Sequence, residues 1–165
     1  MKTKDKSKDV NLVIQSVFEE AVKATKDIKT GYNTGLQAFG KDSDKIKLKN
    51  TTLIQGSVNL DKCLESKYPN DNRWDYCFAY TSKVYFIEVH TANTREVRTM
   101  LNKLKALKDW LNTSAPHINK LKAKQPYFWV QSNKFNIPKG SSQYRQIITQ
   151  GLEPIPLFTD KHLEK

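Results

Sequence analysis

Cysteine is nearly absent from this 165-residue chain: Cys63 and Cys77 are the only two. One pair cannot build a disulfide scaffold, so a reducing compartment, the cytoplasm, is expected. Acidic residues are also scarce, 17 against 28 lysines and arginines, for a formal net charge of +11. No apolar run approaches the ~18–20 residues of a membrane span, so no membrane role is expected. The opening segment MKTKDKSKDV lacks the apolar stretch of a secretory signal. Six glycines and six prolines are scattered singly, which leaves no linker, and no segment repeats. Gly-rich nucleotide loops and the Gly-x-Ser-x-Gly elbow are missing. There is no C-x-x-C and no closely spaced histidine pair, so zinc is disfavoured.

What remains is 38% apolar and 10% aromatic, enough for a packed core. The expectation is one domain over residues 10–165 behind a frayed segment 1–9. Residues 10–28 have apolar positions at helical spacing (Val10, Val13, Ile14, Val17, Phe18, Ala21, Val22, Ile28). Ile46, Leu48 and Thr51–Gln55 suggest short strands, with Lys45, Lys47 and Lys49 on one strand face. Ser57 or Asn59 is placed to cap a helix reaching about Lys67, before a turn at Tyr68–Asn72. Asp75–Tyr80 and Val84–His90 form a β-hairpin pattern. A helix over about Thr94–Leu111 follows, with Asn93 and Glu96 at capping-box spacing. Tyr127–Gln131 is a strand, Ser141–Gln150 a helix stopped by Gly151, and Pro154–Phe158 an edge strand. The order specifies an α/β fold, a central mixed β-sheet flanked by helices.

A two-residue turn at Thr81-Ser82 pairs Cys77 with Phe86 and Asp75 with Glu88; a three-residue loop would send them to opposite faces. In the even register Asp75, Glu88 and His90 meet at the open end of the hairpin. Facing carboxylates repel and need a cation, a basic side chain or water between them. Oxygen-rich pairs of this kind hold Mg²⁺ or Mn²⁺, which keep several of their own waters.

The stretch RWDYCFAY, then KVYFIEVH, then TANTREVRTMLNKLKALKDWL resembles the core of the PD-(D/E)xK superfamily, the restriction-endonuclease-like nucleases. That resemblance implies a restriction-endonuclease-like core with an added N-terminal helix. Asp75 matches the family aspartate and Glu88 the glutamate, with twelve residues between them. It implies a Mg²⁺- or Mn²⁺-dependent nuclease acting on DNA, with both carboxylates as metal ligands. The sequence departs from the motif at the lysine, where it has His90. Histidine can serve as a general base or a metal ligand. Lys103, at the margin of the following helix's apolar stripe, is a candidate to supply the missing ammonium. Asp61, Glu65 and Glu20 are candidates for a further acidic group from an early helix. Arg73 is placed either to neutralise the pair or touch a phosphate, or to stack on Trp74.

Charge placement supports a polyanionic partner. From Arg95 to Lys124 eight basic residues face two acidic ones, and Arg95, Arg98 and Lys105 are candidate phosphate contacts. The alternative is a catalytically inactive nuclease-fold module that grips nucleic acid or a protein partner.

Overall fold

A computed structural model describes residues 17–165; the expected frayed segment 1–9, and Val10, Val13 and Ile14 of the expected first helix, lie outside the described residues. The first helix, α1, is described over residues 17–24, where Phe18, Ala21 and Val22 are buried. It stops earlier than the apolar pattern suggests because the buried Thr25 hydroxyl bonds back to the Ala21 carbonyl at 2.8 Å. A 3₁₀ turn, Lys26–Ile28, continues the chain.

Two strands, β1 (Ile46–Lys47) and β6 (Phe158–Thr159), pair in parallel as a small separate sheet. The main sheet has four strands in the order β2 (Ile54–Asn59), β3 (Tyr76–Tyr80), β4 (Lys83–His90) and β5 (Lys122–Gln131). The β2–β3 and β3–β4 pairs are antiparallel and β4–β5 is parallel, so the sheet is mixed. The parallel step needs a crossover, supplied by α3 (Val97–Thr113) and the short α4 (Pro116–Asn119). Between β2 and β3 lies the short α2 (Leu60–Leu64), capped by the Asn59 side chain at 2.9 Å from the Lys62 amide. After β5 comes α5 (Ser142–Thr149), capped by Ser141 and closed by Gly151 at φ +65°.

Several local expectations shift. Thr51–Leu53 forms a 3₁₀ turn, because the Asn50 side chain accepts from the Thr52 amide, and the strand begins at Ile54. The three-lysine strand does not form: Lys45 ends a 3₁₀ segment and Lys49 lies beyond β1. Ser57 is inside β2, not a cap. The final strand contributes to the small sheet, and only Ile155 bridges back to Val130 of β5.

Side-chain alternation gives the sheet two buried faces. Cys77, Ala79, Val84, Phe86 and Trp129 pack with α1 and α3 through Phe18, Met100 and Leu104. Phe78, Tyr80, Tyr85, Ile87 and Val130 pack on the opposite side with Phe39 and Phe158.

The first of these layers contains a buried polar tie. Asp27, with its side chain 5% exposed, accepts from Lys67 (2.8 Å), Trp110 Nε1 (3.0 Å) and Tyr68 Oη (3.2 Å). Burial pushes its carboxyl up, but the three donors outweigh this and hold it below the usual range. Asp27→Ala strands the buried indole donor and the half-buried phenol donor and is expected to cost about 2–4 kcal/mol in urea denaturation.

Candidate functional site

The hairpin turn decides the site. Thr81 and Ser82 both have positive φ, 45° and 66°, the two-residue geometry that matches strand twist. Tyr80 therefore faces Lys83 and Cys77 faces Phe86, the even register. Asp75 lies one residue before β3 and Glu88 lies within β4, on the face that carries α3.

The two acids are interlocked through backbone amides. The Asp75 N–H donates to Glu88 Oε2 at 2.9 Å, and the Val89 N–H donates to Asp75 Oδ2 at 3.0 Å. The start of α2 fixes Asp75 from the other side, where the Leu60 and Asp61 amides donate to the Asp75 carbonyl at 2.8 and 3.3 Å. Asp75 Oδ1 has no hydrogen-bond partner among the described residues.

Glu88 is fully buried, and its Oε1 accepts from the Lys103 ammonium. Lys103 reaches it from α3, whose buried stripe includes Val97, Met100, Leu104, Leu107 and Leu111. Burial raises the Glu88 carboxyl to about 8, with the Asp75 charge adding to the rise and Lys103 opposing it. Asp75 is also raised, first by burial; Lys103 and the Val89 amide pull the other way.

His90 extends this arrangement outward. Its Nε2 is 2.7 Å from Glu96 Oε2, and its Nδ1 is 3.6 Å from Glu88 Oε1. Trp129 Nε1 donates to the His90 carbonyl at 3.1 Å. Glu96 was expected as a capping partner of Asn93, but Asn93 makes no side-chain cap and Glu96 turns to the histidine instead. A six-residue separation across a strand-to-helix bend carries no periodic signal, so this pair is invisible in sequence.

The other candidates are dispersed. Arg73 donates to Asp61 at 2.9 Å and to the carbonyls of Tyr68 and Pro69, so it ties the loop before β3 and is not on the carboxylate pair. Asp61 is held by that contact, and Glu65 and Glu20 are exposed. Arg95 and Arg98 are exposed, with no ion pair among the described residues, and Lys105 pairs with Asp109 at 2.7 Å on the outer face of α3.

Among the described residues no group of three or more His, Cys, Asp or Glu side chains is arranged to hold a metal. The described residues therefore offer no closed protein cage. Two carboxylates, one with a free oxygen, match a hard cation that retains most of its water. No helix among the described residues is long and apolar enough to cross a membrane. The chain matches no protein-family model, no curated protein and no solved structure.

Proposed function

We propose that the chain is a metal-dependent nuclease that hydrolyses phosphodiester bonds in DNA, with Asp75 and Glu88 holding Mg²⁺ or Mn²⁺. The observation that carries this reading is the interlocked carboxylate pair with the Lys103 ammonium on Glu88. The element order, with α1 first, three antiparallel strands, a crossover helix and a parallel fourth strand, supports a restriction-endonuclease-like core. A bound divalent cation would supply Lewis-acid polarisation of the phosphate and a more acidic water.

The remaining roles belong to the chain. Lys103, not His90, provides the ammonium beside the glutamate. It offsets the paired negative charges and is placed to orient a water and stabilise charge on the phosphate. His90 serves from the rim. Its Nε2 is engaged by Glu96, which leaves Nδ1 turned to the side of the site. Arg95, Arg98 and Lys105 would meet neighbouring phosphates.

Titration of Mn²⁺ into the protein tests the reading without a substrate. Binding at pH 7 is expected to release close to one proton, because the cation selects ionised Glu88, so the measured heat will depend on the buffer. Glu88→Gln, which preserves the shape, is expected to weaken binding at least tenfold. Parental affinity in that variant, or no binding by the parent at millimolar Mn²⁺, overturns the assignment.

A further inference from the structure

A cleft of about 510 Å³ opens between the loop before β3 and the outer side of α3. That volume lies within the ~300–1,000 Å³ range of small-molecule sites. Each wall contributes a chain neighbour of a residue of the carboxylate site. Trp74 immediately precedes Asp75, and Asn102 immediately precedes Lys103.

The floor is apolar, formed by the buried Leu64, Trp74, Leu107 and Trp110. The rim carries the exposed amides of Asn70, Asn72 and Asn102. Each amide offers both donors and an acceptor. Asp71 and Asp109 also stand on the rim, balanced by Arg73 and Lys105, so the lining carries no net charge and favours a neutral ligand. A flat, neutral ring with donors and acceptors on its edge satisfies all three features. A nucleobase is such a ring, and amide side chains pair readily with base edges.

The walls are fixed in advance. Asp27 holds Tyr68 and Trp110, and Arg73 ties Asp61 to the Tyr68 and Pro69 carbonyls. A preformed pocket binds without first paying for loop ordering.

We infer that this cleft receives one unpaired nucleobase next to the phosphate held at Asp75 and Glu88. The inference rests on the nuclease reading and deepens it. A paired, stacked base cannot enter a side pocket. The substrate is therefore DNA with a single-stranded nucleotide at the cleavage point, either in a free strand or extruded from a duplex.

The test uses the full chain in EDTA with three fluorescent probes: a single-stranded oligonucleotide, its blunt duplex, and a strand of equal length with abasic sugars throughout. The abasic strand keeps the phosphates and removes the bases. The natural strand is expected to bind about tenfold tighter than the abasic one, within what contact of a base with aromatic side chains provides. Ala106→Phe, which fills the cleft from α3, is expected to bring the natural strand down to the abasic level. The exposed change Asn102→Ala does so in part and guards against a folding defect. Duplex affinity near that of the single strand points to extrusion, and duplex affinity near the abasic level to a free strand. Equal binding of natural and abasic strands, or undiminished discrimination in Ala106→Phe, overturns the inference. Metal-dependent cleavage that persists at parental rate in Ala106→Phe overturns it alone and leaves the nuclease reading intact. Loss of cleavage in Glu88→Gln is the separate requirement of that reading.

Discussion

If the proposed nuclease reading holds, Lys103→Met is expected to lower metal-dependent DNA cleavage by about two to three orders of magnitude, the usual effect of removing one preorganised charge-stabilising donor. Its ammonium contacts the buried Glu88. His90→Ala is expected to lose much less, since the imidazole is anchored to Glu96 at the rim and its Nδ1 is 3.6 Å from Glu88. A second readout separates catalysis from structure. Lys103 lowers the Glu88 pKa, so its removal raises that pKa further. The acid limb of the pH–rate profile should therefore move to higher pH in Lys103→Met, a shift that a merely loosened fold would not produce. Lys103→Arg keeps the charge and is expected to recover the position of that limb. If His90→Ala abolishes cleavage while Lys103→Met keeps the parental rate, the roles are reversed and the histidine is the principal base.

The carboxylate pair was legible because strand periodicity fixes which residues share a face once the loop length is even. The loop itself was less legible. Thr81 and Ser82 adopt positive φ without the Asn or Gly that usually announces it. Lys103 could be nominated from its place at the edge of the α3 stripe, but strand and helix directions had to be known before it reached Glu88. The β1–β6 pairing joins Ile46 to Phe158 over two residues, too short and too distant for any sequence pattern. β5 begins five residues before the aromatic run that signals it, because Lys122 and Lys124 alternate outward around the buried Ala123. The cleft was hidden for a related reason. Its floor draws Trp74 from a loop and Trp110 from a helix, 36 positions apart, and each alone reads as ordinary core.

The metal-free protein is expected to lose stability as pH rises from about 4.5 to about 8. Glu88 has an ordinary carboxyl in the unfolded chain, at 4.5, and one raised to about 8 when folded. Between those values the folded state binds the extra proton, so unfolding becomes easier with increasing pH. Below 4.5 both states are protonated and the full contribution is present; above about 8 both are ionised and it is gone. At about 1.4 kcal/mol per pKa unit, the loss across the window is several kcal/mol. Asp75 is raised for the same primary reason, burial, and adds in the same direction at the acidic end. Asp27 acts oppositely: its lowered carboxyl contributes above its unfolded value of 3.8 and loses that contribution in more acidic solution. Stability should therefore peak in mildly acidic buffer, against the neutral optimum common for folded domains. Urea denaturation in EDTA at pH 5, 6.5 and 8 measures the slope. Glu88→Gln cannot ionise and is expected to flatten it. Added Mn²⁺ selects ionised Glu88, so its stabilisation should grow with pH and cancel part of the decline. A metal-free protein whose stability stays level or climbs between pH 5 and 8 would mean that Glu88 is already ionised at neutral pH, held as a plain ion pair by Lys103.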